Sequence, residues 1–159
     1  MIGRFVRIFR GRRQRKRFIL AAILLLLLCS KGCIVNYCRW MLFGELEVEA
    51  TAYCNCQKCC DWEFDAKGNS VYAKGRRKGV PKVVGKTSSG AMASYGTVAA
   101  DLSVIPMGTR LKIPGYGVGV VQDTGGAITG FRVDLWFTTH EAALRWGWQK
   151  IRIKKLERN

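Results

Sequence analysis

Residues 117–137 read GVGVVQDTGGAITGFRVDLWF. Two apolar runs rich in valine and aromatic residues, GVGVVQ and FRVDLWF, flank a glycine-rich link, DTGGAITG. Runs of this length and composition, bounded by glycine, are strands joined by a turn. Each run also carries an aspartate, Asp123 closing the first and Asp134 inside the second. Aspartate is poor in strands, and a carboxylate among apolar residues is costly unless paired or hydrogen-bonded.

Working outward, the same design recurs. Short strands are predicted over 97–100, 110–113 and 151–155, with Gly and Pro at the junctions in IPMGT and PGYG. The first of these runs straight into a third aspartate, Asp101. Upstream, ELEVEATAY sets Leu46, Val48, Ala50 and Ala52 against Glu45, Glu47, Glu49 and Thr51, the two-residue period of a half-buried strand. One helix interrupts the series. Thr138 and Glu141 form a capping box, Ala142, Ala143, Leu144 and Trp146 supply a buried face, and Gly147 ends it. Residues 61–86 are polar, basic and without period, which predicts a long solvated loop. Many short strands with Gly/Pro turns give an all-β barrel or sandwich over 45–156.

The charge is lopsided. Of 27 Lys and Arg, eight lie in residues 1–17 with no acidic partner, leaving 19 against the 11 acidic residues of the remainder. Phe18 to Cys29 then reads FILAAILLLLLC. A basic stretch followed by an apolar one is the pattern of an export signal. Twelve residues fall short of the ~20 that span a bilayer, although the stretch can be extended to Phe43. Segment 18–43 is therefore a signal peptide or a membrane anchor, following a cytoplasmic basic region 1–17. Positive charge stays inside, so the domain after Phe43 faces outward, in the periplasm or at the cell surface. Export argues against nucleic acid as partner. No feature implies an oligomer, and a monomer is expected.

Seven cysteines fit an exported chain. Four crowd into CNCQKCC, at Cys54, Cys56, Cys59 and Cys60. A zinc site is usually built from two separated ligand pairs. The cluster is instead predicted to form disulfides within loop 54–60, for example Cys54–Cys59 with Cys56–Cys60, three pairings being open. No metal and no cofactor are expected.

Past residue 66 the chain has five acidic residues. Glu141 belongs to the helix cap and Glu157 to the tail, leaving Asp101, Asp123 and Asp134. Asp123 before Thr-Gly-Gly and Asp101 before Leu-Ser suit turns; Asp134, followed by more strand, does not. Val133 and Leu135 point away from its face while Trp136 shares the apolar surroundings. A poorly solvated carboxyl beside an aromatic ring, with a second acid nearby, has a raised pKa and can donate a proton to a leaving group.

The segment VQDTGGAITGFRVDLWF, preceded by AADLSVIPMGTRLKIPGYG and TAY, resembles the 3D domain family, named for three aspartates. It is similar to the C-terminal barrel region of membrane-bound lytic transglycosylases and to secreted stationary-phase proteins. The resemblance implies a six-stranded double-psi β-barrel with one short helix, preceded by the signal or anchor helix. It also implies cleavage of the β-1,4 bond between N-acetylmuramic acid and N-acetylglucosamine in peptidoglycan glycan strands, with a 1,6-anhydro product. On that resemblance Asp134 is the catalytic acid/base, Asp123 supports it and Asp101 orients the site. Thr51, Tyr53, Thr87, Gly125 and Gly126 would lie in the substrate groove. His140, the only histidine, follows the third aspartate in the helix cap and is read as structural.

Two other readings compete with this one. Asp123-Thr124-Gly125 imitates the aspartic-protease motif, but that mechanism needs a second copy, and the sequence holds one. A non-catalytic glycan-binding module would use aromatic faces such as Trp62, Trp136, Trp146 and Trp148 for stacking, without a protonated Asp134.

Overall fold

The structure, a computed structural model, describes residues 33–157. The basic region 1–17 and the apolar run 18–29 lie outside the described residues, as does Cys29. Helix α1 (Cys33–Phe43) forms part of one unit of the chain, and a second unit begins at Gly44. No helix among the described residues is long and apolar enough to cross a membrane.

The second unit is a closed barrel of six strands, β1 (Glu45–Tyr53), β4 (Thr97–Ala100), β5 (Arg110–Ile113), β6 (Gly117–Asp123), β7 (Arg132–Trp136) and β8 (Gln149–Leu156). Round the barrel the order is β1-β7-β4-β6-β5-β8, and β8 closes on β1. Two neighbouring pairs, β1/β7 and β4/β6, are parallel and the others antiparallel. This is the six-stranded barrel that the family resemblance implies, and each strand stands within two residues of its expected position. Closure leaves no strand edge unpaired, so the short strands β4 and β5 need no other cover.

Alternation of side chains builds the core. Leu46, Val48, Ala50, Val98, Leu111, Ile113, Val121, Val133, Leu135 and Ile153 are buried inside the barrel. Each large aliphatic side chain among them contributes roughly 1.5–3 kcal/mol of burial free energy. Gly119 on β6 belongs to this packing. A Cβ there would lie 2.5 Å from Val98 Cγ2 and 3.1 Å from Ile113 Cδ1, so only glycine lets β4 and β5 close at this level. The outer face of β1 is charged, and its glutamates pair with basic residues on the neighbouring strands. Glu49 pairs with Arg132 of β7 at 2.8 Å, and Glu47 with Lys150 of β8 at 3.2 Å.

Three details depart from the sequence reading. The alternation of β1 stops after Ala50: Ala52 is half-buried and Tyr53 is buried on the opposite face, because the strand leaves the core there. Helix α3 (His140–Trp146) is capped by Thr139 and not Thr138. Thr139 Oγ1 accepts from Ala142 N at 3.1 Å, and Glu141 pairs with Arg145 one turn on. Its buried face is narrower than predicted, with Ala143 covered and Leu144 exposed.

The third departure lies in residues 61–86, which are not a featureless loop. After a single helical turn, α2 (Gln57–Cys60), comes an antiparallel hairpin of β2 (Trp62–Phe64) and β3 (Ser70–Tyr72). Its strands are three residues each, too short to show a period. The basic residues that obscured it are partly its cement, since Arg77 and Lys82 lie over the Tyr72 ring at 4.2 and 4.7 Å from the centroid.

Candidate active site

Strand β4 sits between β6 and β7, and its Ala99 faces both aspartates. The parallel register with β6 pairs Ala99 with Asp123, and the antiparallel register with β7 pairs it with Asp134. A register shift between Val98 and Ala99 brings Asp123 into line. The two carboxylates thus stand on either side of one small residue, roughly 10 Å apart at Cα by ordinary strand spacing. On the far side of β7, parallel pairing sets Thr51 opposite Asp134 and Tyr53 opposite Trp136.

Each acid has its own surroundings. Asp134 is half-buried and accepts from Thr51 Oγ1 at 2.7 Å. Burial pushes its pKa above the ordinary aspartate value; the Thr51 hydrogen bond opposes this, and the charge of Asp123 adds to it. Asp123 is held by backbone N–H donors from Ser88 at 2.9 Å and Thr124 at 2.8 Å, and by the Tyr53 hydroxyl at 3.2 Å. Burial, then the Asp123 charge, drives the Tyr53 pKa far above its usual value, so Tyr53 remains a neutral donor.

Asp101 does a different job. Its Oδ1 accepts from Ser103 N and Oγ, and its Oδ2 from Gly130 N at 2.7 Å. These bonds hold its pKa below the usual range, led by the Ser103 hydroxyl. Asp101 therefore ties the end of β4 to the turn that launches β7, and it does not line the cleft.

A cleft of about 970 Å³ opens over Asp123 and Asp134. Tyr53, Thr87, Gly125 and Gly126 line it; Thr51 reaches it through Asp134. Thr87 is buried and closes its own turn, with Oγ1 donating to Ala91 O at 2.9 Å. The neighbouring Ser88 N is the group that reaches Asp123. A Cβ on Gly126 would meet nothing within 4 Å, whereas one on Gly125 would strike Ile128 Cγ1 at 2.9 Å. A side chain at Gly125 would therefore force Ile128 to shift, whereas Gly126 faces open space.

The opposite wall comes from the hairpin excursion and is basic, with Lys74, Arg76, Arg77, Lys82 and Lys86. Asn55 was not anticipated from the sequence. It lines the cleft, and its Oδ1 accepts from Trp136 Nε1 at 2.8 Å while its carbonyl accepts from Trp62 Nε1 at 2.9 Å. Both indoles are thereby engaged in holding the wall. Nothing in the spacing of CNCQKCC distinguishes that asparagine from a turn residue.

The predicted disulfides are corrected here: Cys54, Cys56, Cys59 and Cys60 are free thiols. Cys54 and Cys59, one expected pair, have their sulfurs 3.9 Å apart, almost twice the ~2.05 Å of a disulfide bond. Cys60, expected to bridge Cys56, turns away and donates to Cys54 O at 3.1 Å.

The described residues form a closed six-stranded barrel with three aspartates on or beside β4, β6 and β7. Residues 96–157 match the family model described as the 3D domain. Among curated proteins it is similar to the putative cell wall shaping protein YabE of Bacillus subtilis, 41% identical over 59 residues, 37% of this chain and 14% of that protein. It is also similar to the cell wall-binding protein YocH of the same organism, 37% identical over 59 residues, 37% of this chain and 21% of that protein. The match therefore spans a small part of both relatives. Solved structures similar to this chain include Escherichia coli MltA, 28% identical over 46% of this chain and 28% of that one, with a TM-score of 0.39. The same protein with bound chitohexaose matches with 28% identity over 45% of this chain and 27% of that one, TM-score 0.40.

Proposed function

We propose that the domain is a peptidoglycan lytic transglycosylase, cutting the β-1,4 bond between N-acetylmuramic acid and N-acetylglucosamine to leave a 1,6-anhydro sugar. The observation that carries this reading is the half-buried Asp134, its pKa raised by burial, in a cleft large enough for a glycan. A carboxyl that keeps its proton can give it to the glycosidic oxygen as the bond to the departing sugar breaks. The carboxylate so formed then takes the proton of the muramic C6 hydroxyl while that oxygen closes on C1. One group serves both steps, and no water needs activating by a second carboxylate at a set distance.

The remaining residues fall into supporting roles. Asp123, anchored by two backbone donors and neutral Tyr53, supplies the negative charge that raises the Asp134 pKa further. Thr51 orients the Asp134 carboxyl, and Asp101 fixes the turn before β7. The basic wall suits a polymer bearing carboxylates. Similarity to proteins named for cell-wall shaping and binding agrees with a cell-envelope substrate.

The test is digestion of purified sacculi followed by muropeptide analysis, comparing wild type with Asp134→Asn. Wild type should release anhydro-muropeptides, and Asp134→Asn should release about 10²–10⁴-fold less while remaining folded. Binding to sacculi without anhydro products from either protein would make the domain a glycan-binding module.

A further inference from the structure

Among the described residues, one cluster of metal-ligating side chains is not used by the proposed reaction. Cys54 Sγ, Cys56 Sγ, Cys59 Sγ and a ring nitrogen of His140 lie within 4.8 Å of one another. His140 Nδ1 is 3.5 Å from Cys56 Sγ and 3.4 Å from Cys59 Sγ, and Cys54 Sγ is 3.9 Å from Cys59 Sγ. For a tetrahedral zinc ion with Zn–S of ~2.3 Å and Zn–N of ~2.0–2.1 Å, neighbouring ligands stand about 3.8 Å apart for S–S and about 3.5 Å for S–N. These three separations agree with that tetrahedron within a few tenths of an ångström, and the other pairs stay within 4.8 Å.

We infer that Cys54, Cys56, Cys59 and His140 form a structural zinc site that clasps the start of the cleft wall to the head of helix α3. Three thiolates and one imidazole select zinc over oxygen-seeking cations such as calcium and magnesium. With four protein ligands the site is closed, so the ion has a structural and not a catalytic place. Binding releases the thiol protons to solvent and involves no change of oxidation state.

The fold explains why these residues meet. β1 and β7 are parallel neighbours and end together, with Phe137 N donating to Tyr53 O at 2.8 Å. The cysteine loop leaves the end of β1 and His140 opens the helix just past β7, so both arrive at the same end of the barrel. The fourth ligand lies 81 residues beyond the third. Spacing within CNCQKCC alone could not reveal it, and the expectation that the chain holds no metal is replaced by this assignment. Cys60 stands outside the set, its thiol engaged with Cys54 O. Because Cys59 and Asn55 line the cleft, the ion would stiffen the wall that carries them.

The assignment is independent of the reaction proposed above. The full chain should be purified from zinc-supplemented culture in reducing buffer and its metal measured, then reloaded with cobalt(II) as a spectroscopic probe. Wild type and Cys60→Ser should each hold about one zinc per chain, on the closed-site stoichiometry. Their cobalt forms should show thiolate charge-transfer bands and the strong visible bands of tetrahedral coordination. Cys56→Ser and His140→Ala should lose most of the zinc and change the cobalt spectrum. Metal-free wild type that takes up no cobalt would overturn the site. So would a His140→Ala spectrum identical to wild type, or a Cys54–Cys59 disulfide in chain recovered from the cell envelope.

Discussion

In the proposed reaction Asp134 and Thr51 form the central pair, and their hydrogen bond works against the burial that raises the Asp134 pKa. Thr51→Val keeps the shape and removes the donor. The Asp134 pKa should then rise further, and the alkaline limb of the pH–rate profile should move to higher pH; an unchanged or lowered limb would argue against Asp134 as the acid. The same shift has a consequence for stability. A native pKa above the unfolded one means that the unfolded chain ionises first as pH rises, so Asp134 detracts from stability above the ordinary aspartate range. Asp134→Asn should therefore melt at a higher temperature than wild type at neutral pH, with the advantage shrinking in acid; thermal melts at several pH values decide it. Asp101 carries the opposite sign. Its lowered pKa contributes stability above the unfolded value, and this is lost as pH falls through the native one.

Strand β6 shows how tightly the elements constrain one another. Gly119→Ala places a methyl against Val98 and Ile113, and should destabilise the barrel by about 1–3 kcal/mol through overpacking, read from urea unfolding. A loss below experimental error would mean that β4 and β5 are less closely packed than described. Elements of the barrel were legible in the sequence because its strands either alternate, like β1, or are apolar runs that start at or just after a glycine, like β4, β6 and β7. The aspartates were legible for the complementary reason, as carboxylates among residues that repel them. The β2/β3 hairpin was hidden by its three-residue strands and by the basic residues that stack on Tyr72. The Cys54–His140 meeting was hidden because only the parallel pairing of β1 with β7 creates it.

Across the whole molecule, the net charge of +16 is spread between the N-terminal region and the barrel unit, where basic residues form one wall of the cleft. Exposed charges act through solvent, so binding to sacculi should weaken as salt rises. Arg76→Glu combined with Lys86→Glu should weaken it several-fold to about tenfold at low salt, a difference that narrows at high salt in a pull-down assay. Equal binding by both proteins would remove the wall from substrate recognition. Beneath that wall, everything depends on whether one side chain holds its proton in the folded barrel. Titration of the Asp134 carboxyl carbon by NMR should give a midpoint clearly above the ~3.9 of a free aspartate, and lower once Asp123→Asn removes the neighbouring charge. A midpoint at or below the free value would contradict the assignment of Asp134 as the acid.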